Sequence, residues 1–271
     1  MNSMLNQVSA RVVSNDEVLS YPGAAYFLLQ LEAAAIAAAA KPGQFLMLKC
    51  GDDCILRRPL SIHGICDGSR IELLYRVTRT TDGTPSGKGM DWLSQQKKGD
   101  KVNIIGPLGN GFKVAADTKR LLIVAGGIGI APLGFLATQI LSTGRQVTLL
   151  LGARSAANIL PENMLPSGIT CAITTDDGSS GKKGLVIDIL PEYLEGADQI
   201  FACGPQAMLE KLAKIPEIQS KPVQVSLEVR MGCGAGACYG CSIRTTHGMK
   251  RVCREGPVFD IKDIIWQEVS I

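Results

Sequence analysis

Four cysteines crowd one stretch near the end of the chain: three in "RMGCGAGACYGC", Arg230 to Cys241, and a fourth at Cys253. Four residues separate Cys233 from Cys238, two separate Cys238 from Cys241, and eleven precede Cys253. This is the plant-type [2Fe-2S] spacing, whereas structural zinc usually takes two close Cys or His pairs. Cys233, Cys238, Cys241 and Cys253 are therefore the candidate metal ligands, with zinc, disulfides or idle thiols as the competing readings. Thiolates that wrap a compact, negatively charged core require a tightly curled backbone. Gly232, Gly234, Gly236 and Gly240 permit that curl, and their amides can point at the sulfurs. Arg230, Arg244, Lys250, Arg251 and Arg254 surround the loop. They could balance cluster charge, meet an acidic partner or form a plain solvated face.

Two further stretches suit nucleotides. "VAGGIGIAPL", Val124 to Leu133, reads as strand, glycine turn and helix, so Gly126, Gly127 and Gly129 would let the backbone approach a pyrophosphate while Pro132 opens the helix. "FACGPQAML" supplies a second strand end, with Cys203, Gly204 and Pro205 expected at the same carboxyl edge of the sheet. Cys203 could lie near a nicotinamide or simply fill a tight spot. Earlier, "RRPLS" and "LYRV" lie on strands, where a planar guanidinium can grip a pyrophosphate in two places and the Ser61 hydroxyl can donate to phosphate or flavin. "GKGMDWL" adds glycine amides at a helix start. An iron–sulfur cluster moves single electrons and a nicotinamide takes hydride, so a chain that holds both needs a converter between them. A flavin is the usual one.

The elements that must position these residues divide the chain in three. Residues 1–115 alternate short β-rich runs with turn signals, one helix "GMDWLSQQ" intervening, and read as an antiparallel barrel or sandwich. Residues 116–222 alternate apolar strands with helices, which implies a parallel sheet covered on both faces. Residues 223–271 hold the cysteine segment, too short for a core of its own. The expected fold is thus a multidomain combination of α+β and α/β. The alanine tract within "YFLLQLEAAAIAAAAKPGQFLML" reads as a short turn of helix between strands, because Gln30, Glu32, Lys41 and Pro42 interrupt any membrane span. The start of the chain lacks a signal-peptide core, which suggests a cytoplasmic protein. A formal charge of +3 with no basic block speaks against nucleic-acid binding. Only His63 and His247 offer imidazole chemistry, and Cys50, Cys54, Cys66, Cys171 and Cys203 are scattered as small hydrophobes would be.

"RRPLSI", "LYRV", "GPLGNGF", "VAGGIGIAPL", "TTDDGS", "CGPQAML" and the cysteine run with "VCREGPVFD" together resemble the ferredoxin reductase superfamily. More narrowly they resemble the electron-transfer subunits of type B, NAD-dependent dihydroorotate dehydrogenases, over nearly the whole chain. The resemblance implies FAD held through Arg58, Pro59, Leu60 and Ser61, through Tyr75, Arg76 and Val77, and through Gly89 and Met90. It implies NAD on the second unit, the four cysteines as cluster ligands, and an FMN-containing catalytic subunit as partner in a heterotetramer, serving pyrimidine biosynthesis. The chain would hold no dihydroorotate site of its own. Where the family usually has threonine, this chain has Met90, preceded by a longer loop. A sulfide dehydrogenase, hydrogenase or ferredoxin:NADP reductase subunit would share the architecture, and a zinc-stapled interaction module is the reading from outside the enzymes.

Overall fold

The structure is a computed structural model that describes residues 6–80 and 87–269. The expected longer loop before Met90 therefore falls partly outside the described residues. Seven antiparallel strands form the first unit: β1 (Asn6–Tyr21), β2 (Ala24–Glu32), β3 (Phe45–Leu48), β4 (Arg58–Ser61), β5 (Gly64–Cys66), β6 (Arg70–Thr78) and β7 (Lys101–Leu108). They lie side by side in the order β4-β3-β7-β1-β2-β6-β5. Two register shifts in β1, between Val12 and Ser14 and between Glu17 and Leu19, bend the longest strand as the sheet curls. Alternate residues such as Leu29, Leu31, Leu46, Leu48, Ile71 and Leu73 fill the barrel. The alanine tract becomes the short helix α1 (Ala34–Ala39), which adds Ile36 and Ala37 to that core. Helix α2 (Lys88–Ser94) is the single helix expected before β7.

The second unit contains β8 (Arg120–Gly126), α3 (Ile130–Leu141), β9 (Gln146–Ala153), β10 (Thr170–Thr175), β11 (Lys182–Lys183), α4 (Pro191–Leu194), β12 (Gln199–Cys203), α5 (Gln206–Ala213) and β13 (Val223–Ser226). Strand order β11-β10-β9-β8-β12-β13 is parallel throughout. The chain leaves β8 toward β9 on one side and returns to β12 on the other, which opens a crevice at the carboxyl ends. β8 is buried from Leu121 through Gly126, as a strand covered on both faces must be.

The cysteine segment is built onto this sheet. Its hairpin, β14 (Ser242–Thr245) with β15 (Gly248–Arg251), stands apart, and β16 (Val258–Asp260) returns to pair antiparallel with β13. Val252, Cys241, Cys253 and Phe259 share one core with Val223, Val225, Met47 and Leu108. The barrel meets the second unit through Tyr26 and Leu74, which pack among residues of β8, β9 and α3. His63 serves packing as well: its Nδ1 lies 2.9 Å from the Ala131 carbonyl of α3. Among the described residues no helix is long and apolar enough to cross a membrane.

Candidate cofactor sites

Two adjoining cavities open between the units. The first, about 580 Å³, is lined by Arg58, Pro59, Leu60, Ser61, Tyr75 and Arg76 from the barrel and by Ser226 at the end of β13 with Leu227 to Met231 after it. Six of the residues expected to hold FAD therefore share one wall, while Val77, Gly89 and Met90 lie outside that lining. Strand alternation separates the roles within "LYRV". The Tyr75 side chain is 1% exposed, stacks on Phe27 with centroids 5.5 Å apart, and donates to Asn15 Oδ1 at 2.9 Å. Tyr75 thus meets the cavity through its backbone and Arg76 through its side chain. Gly89 still belongs to the neighbourhood, since an added Cβ would stand 3.1 Å from Arg58 Nε.

The second cavity, about 510 Å³, lies over the carboxyl ends of the parallel strands. Gly126 ending β8 and Gly127 after it, Gly152 and Ala153 ending β9, and Gly204 and Pro205 after β12 line it. Gly126 and Gly204 are needed as glycines because their backbones touch: a Cβ on Gly204 would meet Gly126 N at 3.0 Å, and one on Gly126 would meet Met208 Sδ at 2.7 Å. Gly129, Pro132 and Cys203 lie outside the lining. Gly129 abuts the Cys203 carbonyl, and Pro132 is buried in the first turn of α3. The Cys203 thiol is 0% exposed beside Ser226, and burial pushes it well above the ordinary thiol range. It fills a tight spot rather than facing the cavity.

Arg76, Ile128 and Glu228 line both cavities, so a group in one is separated from a group in the other by this shared wall. Glu228 keeps accessible surface because both clefts are open to it, yet protein crowds it closely and that burial raises its carboxyl above the usual carboxylate range. Sequence reasoning passed over Glu228 and Ile128. The only signal for Glu228 was an acid closing the apolar strand run "VQVSLE".

Five residues beyond Glu228 the cysteine loop begins. Cys233 Sγ accepts backbone N–H groups from Ala235 at 3.4 Å, Ala237 at 3.3 Å and Cys238 at 3.4 Å. The expected amide–sulfur contacts exist, but the glycines are not the donors. Gly234 and Gly236 adopt φ of 69° and 78° and thereby aim the N–H of the following alanines inward. Burial opposes ionisation of Cys233, and the amides of Cys238, Ala235 and Ala237 outweigh it, bringing the thiol down to about 6. Cys253 N donates to Cys241 Sγ at 3.4 Å, and burial together with that neighbouring thiol pushes Cys253 up to about 12.

The four sulfurs stand as two pairs, Cys233 with Cys238 and Cys241 with Cys253. Among the described residues, no three His, Cys, Asp or Glu side chains converge on a single ion. Two pairs of thiols, three amides on one sulfur and glycines at the turns fit a two-iron core with two cysteines per iron. Cys241 and Cys253 are buried and Cys238 is exposed, so one edge of such a core would face the interior and the other the surface.

Arg251 braces the loop. Its Nη1 donates to the Gly236 carbonyl at 2.8 Å, its guanidinium pairs with Glu255 at 2.6 Å, and its Cζ lies 4.9 Å from the Tyr239 ring centroid. Of the basic residues around the cysteines, this one is a structural tie rather than a solvated charge.

A barrel beside a parallel sheet, with a cavity at their junction and a cysteine loop on the sheet edge, defines a ferredoxin-NADP reductase-like protein carrying an iron–sulfur segment. A solved NADH-dependent reduced ferredoxin-NADP oxidoreductase matches with a TM-score of 0.83 at 25% identity over 98% of this chain and 92% of that one. The ferredoxin-NADP+ reductase of Plasmodium falciparum shares the fold at TM-score 0.63 and 15% identity, over 82% of this chain and 97% of its own. The profile for the iron-sulfur cluster binding domain of dihydroorotate dehydrogenase B matches residues 228–265, and that for the oxidoreductase NAD-binding domain matches 123–214. The electron transfer subunit of dihydroorotate dehydrogenase B (NAD(+)) from Desulforamulus reducens is 39% identical over 89% of this chain and 93% of its own. Its counterpart from Caldanaerobacter subterraneus subsp. tengcongensis is 39% identical over 83% and 87%. The chain belongs to the family of dihydroorotate dehydrogenase B electron transfer subunits.

Proposed function

We propose that this chain is the NAD-linked subunit of a dihydroorotate dehydrogenase, receiving electrons from an FMN-containing catalytic subunit and delivering them to NAD+. When bound, the [2Fe-2S] cluster would carry single electrons, and FAD would collect them for delivery to NAD+ as hydride. Cys233, Cys238, Cys241 and Cys253 hold the cluster. Arg58, Pro59, Leu60 and Ser61 bind FAD in the first cavity, with Tyr75 and Arg76 beside them and Val77, Gly89 and Met90 supporting from behind. Gly126, Gly127, Gly204 and Pro205 seat NAD in the second cavity, with Gly129, Pro132 and Cys203 outside its lining. The residue ranges 1–115, 116–222 and 223–271 carry these three tasks in a cytoplasmic heterotetramer.

The observation that carries this reading is the shared wall. Arg76, Ile128 and Glu228 are common to the two cavities, and the backbone that contributes Glu228 runs on directly into the cysteine loop. One short segment thus touches all three sites.

The test uses the chain reconstituted anaerobically with FAD, iron and sulfide. It should reduce dyes with NADH, and it should oxidise no dihydroorotate until the catalytic subunit is added. Dihydroorotate oxidation by the lone chain would overturn the division of labour. Co-purification with hydrogenase or glutamate-synthase-like chains would favour the second reading, to which the 0.83 TM-score with a ferredoxin-NADP oxidoreductase lends fold-level support.

A further inference from the structure

The barrel contributes more to the second cavity than Arg76. Tyr21, the last residue of β1, and Tyr26, near the start of β2, line it as well. A tight turn joins their strands at Pro22 and Gly23, where Gly23 takes φ of 95°, and the hairpin register sets Tyr21 opposite Ala24 and Leu19 opposite Tyr26. On its other side Tyr26 is paired directly with Arg76 of β6. Directly opposed residues on antiparallel strands present their side chains to the same face of the sheet. Tyr26 therefore stands beside the arginine that belongs to both cavities.

The Tyr26 side chain is 4% exposed, within the core that includes residues of β8, β9 and α3, and the Tyr21 ring lies 6.1 Å away at a tilt of 42°. A ring packed this closely is held in place, and its hydroxyl is the one polar end of an otherwise apolar body. That hydroxyl has Tyr21 as a hydrogen-bonding neighbour and senses the charges of Arg76 and Glu228. Burial, and after it the Tyr21 hydroxyl, raise it above the ordinary phenol range, so at neutral pH it is an uncharged donor. Tyr21, Tyr26, Arg76 and Glu228 thus form one polar corner of the second cavity.

That corner belongs to one part of a dinucleotide. The pyrophosphate falls at the glycine turns, which leaves the nicotinamide for the wall where the two cavities meet, because hydride transfer requires the reacting rings to touch. The ring carries a single hydrogen-bonding substituent, its carboxamide. We infer that Tyr26 is a nicotinamide-binding residue supplied by the barrel, its hydroxyl donating to the carboxamide oxygen of NAD while Tyr21 keeps that hydroxyl in place. This rests on the seat of NAD proposed above. It also ties the dinucleotide to both units, with the pyrophosphate on the sheet and the nicotinamide on the barrel.

The test compares NAD+ with ADP-ribose, which keeps the adenosine, pyrophosphate and second ribose but has no nicotinamide. Binding of each to the anaerobically reconstituted, oxidised chain is measured by calorimetry for wild type and Tyr26→Phe. Since the variant keeps the ring, its flavin absorbance should match that of wild type. Tyr26→Phe should weaken NAD+ binding roughly three- to tenfold, the size of one neutral hydrogen bond, and leave ADP-ribose within about twofold. Unchanged NAD+ affinity would overturn the contact, and equal weakening of both ligands would show that Tyr26 serves only the junction between the units. Should the variant fail to fold, wild type alone decides: thionicotinamide adenine dinucleotide, whose sulfur is the poorer acceptor, should bind less tightly than NAD+, and equal binding would overturn the contact as well. Wild type that binds neither NAD+ nor ADP-ribose would remove the seat of NAD itself, and this assignment with it.

Discussion

Glu228 stands where the two cavities meet, and its environment makes an ionic state costly. Burial raises its carboxyl above the ordinary range, so the folded chain holds that proton more tightly than the unfolded chain does. Between the ordinary carboxylate value and the raised one, stability consequently falls as pH rises. Glu228→Gln removes this loss. Its melting temperature should exceed that of wild type at neutral pH, and the gap should close as pH falls below about 4, where both side chains are neutral. Thermal unfolding of both proteins across that range checks the sign, and an equal or lower neutral-pH Tm for the variant would contradict it. The four candidate ligands were legible from spacing alone because a cluster dictates ligand intervals. Glu228 was not, since its significance lies in two cavities that exist only after the sheet and barrel are apposed.

Helix α3 shows how one contact can reverse the usual effect of a substitution. Gly→Ala inside a helix ordinarily stabilises by about 0.5–1 kcal/mol. At Gly134 a Cβ would stand 2.7 Å from His63 Cε1 and 3.1 Å from Nδ1, and the imidazole is pinned by its bond to the Ala131 carbonyl. Gly134→Ala should therefore destabilise by about 1–3 kcal/mol. In a His63→Ala background the same change should cost little or stabilise, a coupling that a denaturant double-mutant cycle reads directly. Additive effects would show that the barrel does not limit the helix there. The extent of α3 was nearly legible: "PLGFLATQILSTG" predicts a helix from Pro132, and the structure begins it at Ile130. Its contact with a histidine 71 positions earlier was not, because periodicity says which face is apolar but not what covers it.

At the scale of the whole molecule, the barrel and the parallel sheet each enclose their own core, whereas residues 229–241 include no strand or helix. Chelating the iron should therefore raise amide exchange in 229–241 while β8, β12 and the barrel strands keep their protection. Hydrogen exchange of the loaded and iron-free chain decides this, and cooperative loss of protection everywhere would refute it. The order of elements, the candidate cysteine ligands and the glycine turns were determined by the sequence itself, since each depends on local spacing and backbone freedom. Which cysteines pair, which residues after the glycines donate to sulfur, and that "LYRV" turns Arg76 to the cavity and Tyr75 to the core were decided only by the tertiary structure. Those outcomes depend on how distant segments close upon one another: β16 returning to β13, Met47 under Gly234, and Glu228 between two clefts. Local pattern carries no information about such closure, because it is set by which surfaces meet when the cores are buried.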